Sequence, residues 1–194
     1  AGSRPYYVNC EPGSRYLPDF DAVPEEVWQR CQLLYLCSPG NPTGAVMGIP
    51  QLQTLIALSD EYNFIIASDE CYSEIYMDEQ NPPAGLLEAA SLLGRKDYKN
   101  CIAFNSLSKR SNLPGLRSGY VAGDAEILEK FLLYRTYHGS GMAIHHQVLS
   151  TLAWGDESHV IQNRQVYRDK FTRVADILKP VWPMEVPDAG FYFW

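Results

Sequence analysis

At 194 residues, with 46% hydrophobic and 20% charged side chains, the chain has an ordinary globular composition and enough length to bury the core of one domain, or of one domain plus part of another. Its formal net charge of -7 and its scattered lysines and arginines offer no basic stripe to a phosphate backbone, which argues against a nucleic-acid partner. No apolar stretch approaches membrane-spanning length, and residues 1–5 lack the charged-then-apolar order of a signal peptide, so no membrane partner is expected.

The first apparent element is a short strand at residues 5–8. Three apolar runs follow, at residues 33–37, 64–67 and 101–104, and each ends in a cluster of polar and turn-forming residues. They read as buried strands. Between the first two, residues 49–62 carry Pro50 in what would be the first helical turn and place Leu52, Leu55, Ile56 and Ser59 on one face. Residues 86–93 predict a second helix, and strand, crossover helix, strand is the grammar of a parallel sheet.

Residues 118–122 form a possible fourth strand, reached through a Pro-Gly turn too short for a helical crossover, so an antiparallel direction is open to it. Helices are expected at 125–135 and 143–154, then a longer one over 157–179, where Val160, Arg164, Tyr167, Phe171, Val174 and Leu178 recur at helical steps before Pro180. After Pro180 the chain turns Pro-broken and aromatic, so a domain boundary is expected within that helix and residues 191–194 read as a core strand. The strand-like residues at both ends suggest a fragment. The five cysteines form no C-x-x-C pair and read as reduced thiols of a cytoplasmic protein. Of the histidines, 138, 145, 146 and 159, none has a partner at ligand spacing, so no metal is expected.

In an open parallel sheet, ligands gather beyond the carboxyl ends of the strands, where the polar clusters fall. Jointly these clusters present an amide (Asn41), a carboxylate (Asp69) with a phenol close by (Tyr72), and Ser106, Ser108 and Lys109 followed by Arg117. An amine, a carboxylate, partners for a phenolic oxygen and a phosphate clamp are what a phosphorylated pyridine aldehyde needs. Each residue also has a plainer reading: Asp69 as a strand-end cap, Asn41 as turn chemistry, Tyr72 as a packing aromatic, Ser106 and Ser108 as helix caps.

SPGNPTG at 38–44, SDECY at 68–72 and SLSKRSNLPGLRSGY at 106–120, in that order, resemble the signature of class I and II aminotransferases, pyridoxal-phosphate enzymes of fold type I. The resemblance covers essentially the whole chain. It implies an α/β fold with a mostly parallel sheet flanked by helices: a large cofactor domain over 1–156, an interdomain helix over 157–179 and the start of a smaller α+β domain over 180–194. It implies that Lys109 condenses with the aldehyde of pyridoxal 5'-phosphate and then shuttles the substrate proton. Asp69 would pair with the pyridine nitrogen, Tyr72 and Asn41 with the phenolic oxygen, and Arg117, Ser106 and Ser108 with the phosphate. A cis bond before Pro42 is also implied.

The wording of CSPGNPTGAV and SLSKRSNLPGLRSGYVAGD is most similar to N-succinyldiaminopimelate aminotransferases of bacterial lysine biosynthesis. This implies N-succinyl-LL-2,6-diaminopimelate and 2-oxoglutarate as substrates, and a homodimer in the complete protein. The family's glycine-containing phosphate loop, ring-stacking aromatic and carboxylate-gripping arginine are expected to lie outside these residues. A C-S lyase of the same fold, or a noncatalytic truncated homologue used for binding or dimerisation, are the alternatives.

Overall fold

The computed structural model describes residues 2–194. Its four strands, β1 (Leu33–Cys37), β2 (Ile65–Asp69), β3 (Cys101–Ser106) and β4 (Gly119–Gly123), form one sheet in the order β1-β2-β3-β4. β1, β2 and β3 are parallel, with Cys37 opposite Asp69 and Asp69 opposite Phe104. β4 returns antiparallel, bringing Gly119 opposite Ser106. Polar residues extend two of the strands beyond their apolar runs. Ser68 and Asp69 remain in register with β1, and Asn105 and Ser106 with β4, so pairing continues where composition suggested turns.

The helices are α1 (Glu25–Trp28), α2 (Ile49–Tyr62), α3 (Leu86–Leu92), α4 (Leu107–Arg110), α5 (Ala125–His138), α6 (Ile144–Trp154) and α7 (Ser158–Leu178). α2 starts at Gly48, whose N–H donates to the Gln51 side chain at 2.9 Å, and stops at Asn63, which adopts the left-handed conformation. Its buried residues are Leu52, Leu55, Ile56 and Ser59, the face expected from the periodicity. Trp28, Leu52, Leu55, Ile56, Phe64, Ile66, Leu86, Ala89 and Ala90 build the main core, in which Trp28 stacks on Phe64 at 5.5 Å. Glu70 ties the end of β2 to α3 by accepting from the Leu86 N–H at 2.8 Å and the Ser68 hydroxyl at 3.0 Å. Burial raises the pKa of its carboxyl.

α7 buries Val160, Arg164 and Phe171. Arg164 donates to Glu79 at 2.8 Å, to the Glu74 carboxylate at 2.9 Å and to the Glu74 carbonyl at 3.1 Å, and lies 4.2 Å from the Tyr76 ring centre. Arg168 adds a second pairing to Glu79. The helix thereby clamps the loop that leaves β2. His159, expected to lack a carboxylate neighbour, is 2.7 Å from Asp156 in the turn that starts α7. No helix among the described residues is long and apolar enough to cross a membrane.

Two expected strands do not form. Residues 5–8 make no ladder, and Tyr6 and Tyr7 are exposed. Residues 191–194 are likewise outside any strand, because their packing is made by rings: Phe191 on Tyr72 and Tyr167, and Phe193 on Phe171. The backbone just before them is what pairs. Ala189 bridges Tyr76, the Gly190 N–H donates to the Ile75 carbonyl at 2.8 Å, and the Ala189 N–H donates to the Gly44 carbonyl at 3.2 Å. The tail crosses Gly44 so closely that a Cβ there would sit 2.3 Å from the Ala189 carbonyl oxygen, at a φ of +72°. Only glycine fits that crossing.

Candidate active site

Three loops leave the same edge of the sheet. The first follows β1 and carries Asn41, with cis bonds at both Ser38–Pro39 and Asn41–Pro42. It is folded back by the Gly40 N–H donating to the Ala45 carbonyl at 2.8 Å, and the Met47 N–H reaches the Ser38 hydroxyl at 3.0 Å. The Asn41 backbone N–H faces the Cys37 sulfur.

The second loop holds Asp69 and Tyr72. The Asp69 carboxylate accepts the Cys71 N–H at 3.1 Å through one oxygen, a turn-capping contact at an exposed residue. Tyr72 is buried. Its hydroxyl is pushed up to about 12, first by burial and then by Tyr192, Cys37 and Asp69, so it keeps its proton at neutral pH and can donate. Burial, with Asp69 alongside, pushes the Cys71 thiol up to about 12, and the Lys109 charge opposes that shift.

The third loop runs from β3 through α4 to β4. Ser106 caps α4: its hydroxyl accepts the Ser108 N–H at 3.0 Å, lies 2.9 Å from the Ser108 hydroxyl and 3.2 Å from the Ser118 carbonyl. Lys109 lies on α4, its amine 5.7 Å from the centre of the Tyr72 ring. Arg117 adopts a left-handed conformation just before β4 and donates to the Pro114 carbonyl at 2.8 Å. Ser106, Ser108 and Arg117, with Ser118 and Gly119, enclose a cavity of about 190 Å³. Gly119 is pressed against β3, where a Cβ would meet the Asn105 carbonyl oxygen at 2.5 Å. A larger cavity of about 310 Å³, between the tail and the loop at 43–45, contains none of the expected site residues.

A guanidinium and two hydroxyls around a small cup suit a dianionic phosphate. A primary amine beside a carboxylate and a protonated phenol suits the rest of a pyridoxal ring, so the residues present fit that cofactor. Sequence reasoning did not anticipate Phe191, whose ring centre is 5.3 Å from the Lys109 amine and 5.2 Å from the Tyr72 ring. Nor did it anticipate Cys37 as a neighbour of Asp69. The register of β1 on β2 explains the second, and the return of the tail to Ile75 and Gly44 explains the first.

The sequence matches the model for "Aminotransferase class I and II" over residues 1–194. It is 32% identical over 198 residues to an LL-diaminopimelate aminotransferase of Halothermothrix orenii, covering 100% of this chain and 49% of that protein. Among solved structures it resembles an aminotransferase from Neisseria meningitidis, with a TM-score of 0.92 and 53% identity over 100% of this chain and 48% of the other. A probable N-succinyldiaminopimelate aminotransferase from Thermus thermophilus gives a TM-score of 0.83 and 26% identity, over 93% and 47% of the two chains. A PLP-bound C-S lyase from Staphylococcus hominis gives 0.74 and 25%, over 90% and 44%. The chain spans about half the length of the relatives it matches. Its four-stranded mixed sheet with flanking helices has the aminotransferase fold of these neighbours.

Proposed function

Since this chain belongs to the aminotransferase class I and II family, we propose that it supplies the lysine, carboxylate and phosphate cup of a pyridoxal-phosphate-dependent aminotransferase. The observation that carries the reading is the placing of the Lys109 amine against the Tyr72 ring, in the loop beside the one that holds Asp69 and next to the cup of Ser106, Ser108 and Arg117. The cofactor, when bound, supplies an aldehyde for the amine and an electron sink for the carbanion formed at the substrate α carbon. Arg117, Ser106 and Ser108 would hold the phosphate and so fix the ring. The Asp69 carboxylate would keep a proton on the ring nitrogen, and Tyr72 and Asn41 would donate to the phenolic oxygen. Lys109, as the only amine of this group of residues, would be the one to bond the aldehyde and to carry the substrate's α proton.

As substrates we propose a diaminopimelate skeleton, N-succinyl-LL-2,6-diaminopimelate, with 2-oxoglutarate as acceptor, in lysine biosynthesis in the cytoplasm. The support is the wording of the two motif segments and the names of the relatives above, and unacylated LL-diaminopimelate is the direct competitor. Residues 157–179 would join the cofactor domain to a smaller domain opening at 180–194, and the complete protein would be a homodimer.

The test uses the full-length protein with added pyridoxal phosphate. Borohydride reduction should add the cofactor mass to the peptide containing Lys109, and Lys109→Ala should abolish it. Glutamate should then convert the bound cofactor to its amine form. A return to the aldehyde form with release of a fragmented substrate would make the protein a lyase, and no cofactor absorbance at all would make it a binding module.

A further inference from the structure

The Lys109 amine is bounded by two rings, Tyr72 at 5.7 Å and Phe191 at 5.3 Å. Phe191 is itself held from two sides: tilted on Tyr72 at 5.2 Å and stacked on Tyr167 of α7 at 5.9 Å with an interplanar angle of 18°. Its backbone is tethered, because the preceding residues bond to the segments after β2 and β1 through Gly190 on Ile75 and Ala189 on Gly44. Behind it, α7 is anchored to the loop after Tyr72 by Arg164. The ring is thus a fixed object standing against a flexible four-carbon side chain.

We propose that Phe191 is a positioning residue for Lys109: with Tyr72 it forms an aromatic slot that confines the amine to the few rotamers from which it reaches the reacting carbon. This deepens the cofactor reading above and rests on it. A lysine has many rotamers of similar energy, and a base must sit within hydrogen-bond reach of its proton, so excluding unproductive rotamers raises the fraction of time spent in position. The ring faces also attract the ammonium form and shield the stem from water. Phe191→Tyr keeps the slot, Phe191→Leu keeps bulk without a flat face, and Phe191→Ala opens it.

Two readouts separate positioning from general damage, both on the full-length protein. The first needs no cofactor: reductive methylation of Lys109, followed by peptide mass analysis, with the exposed Lys96 and Lys99 as internal references. Phe191→Ala should raise the relative labelling rate of Lys109 several-fold, Phe191→Leu should raise it less, and Phe191→Tyr should leave it unchanged. The second is the single-turnover half-reaction with glutamate, in which Phe191→Ala should lower the limiting rate about tenfold or more and change KM less than about threefold. Borohydride capture at Lys109 should persist in all variants, and its loss in the parent would sink the cofactor reading instead. Unchanged labelling and limiting rate in Phe191→Ala would overturn the slot. A raised KM with an unchanged limiting rate would overturn it too, making Phe191 a substrate wall. If Phe191→Ala fails to fold by circular dichroism, the Leu and Tyr pair decides by the same criteria.

Discussion

Asp69 can be asked which of two jobs it does, because the structure separates an oxygen from a charge. As a turn cap, Asp69 needs only the oxygen that accepts the Cys71 N–H at 3.1 Å. As the partner of a protonated ring nitrogen, it needs the negative charge. Asp69→Asn keeps an acceptor in the same place and removes the charge, whereas Asp69→Ala removes both. The turn bond is a single hydrogen bond at an exposed residue, so the Ala variant should lose no more than about 1 kcal/mol of stability and the Asn variant close to none. Turnover should fall in both by three orders of magnitude or more, about 4 kcal/mol of barrier at about 1.4 kcal/mol per tenfold. Urea unfolding and steady-state kinetics of the complete enzyme measure the two quantities side by side. An Asn variant with near-parental turnover would show that Asp69 is a cap and no more.

Arg117→Ala should weaken pyridoxal-phosphate binding about ten- to hundredfold by removing the guanidinium from the cup, and inorganic phosphate should compete less well with the cofactor in an absorbance titration. Arg164→Met should cost about 2 to 3 kcal/mol in urea unfolding, less than breaking a fully buried pair, because the Glu74 and Glu79 side chains keep 33% and 40% exposure and rehydrate. The same variant should change the acid limb of stability. The bond from Arg164 holds the Glu79 carboxyl below its ordinary value of 4.5, so that contribution is complete above about pH 4.5 and lost as the pH falls through the folded value. The variant should therefore lose less on acidification than the parent. Leu55→Ala, at a site with no solvent exposure, should cost about 2 to 5 kcal/mol in urea unfolding with cofactor binding by the folded fraction unchanged.

The periodic and the local were readable from sequence. α2 has the expected bounds and buried face because a capped amphipathic stripe states both. The antiparallel return of β4 was open from the brevity of the Pro-Gly connection. Strand ends were not readable, since Asp69 and Ser106 look like turn residues and are kept in the ladder by their partners Cys37 and Gly119. The aromatic tail misled for a related reason: its hydrophobicity serves ring contacts with Tyr72, Tyr167 and Phe171. Nothing near Phe191 in the sequence says that the preceding residues return to Ile75 and Gly44. Motif order named Lys109 and Tyr72, which lie against each other, but it could not supply Phe191, the second ring against the amine.

The antiparallel return of β4 also sets an order of events in folding. Pairing Ser106 with Gly119 closes a short loop, whereas pairing Asp69 with Cys37 or Phe104 requires a whole crossover to be laid down first, and bringing Phe191 to Tyr72 spans more than half of the chain. Loop closure costs less when the span is short, and contacts near in sequence form sooner. The cavity of Ser106, Ser108 and Arg117 belongs to the short loop, and the contacts of Lys109 with Tyr72 and Phe191 belong to the long ones. Pulse-labelled hydrogen exchange should therefore protect the β3–β4 amides before those of β1, leaving a folding chain whose cavity at Ser106 and Arg117 is formed before its lysine is enclosed.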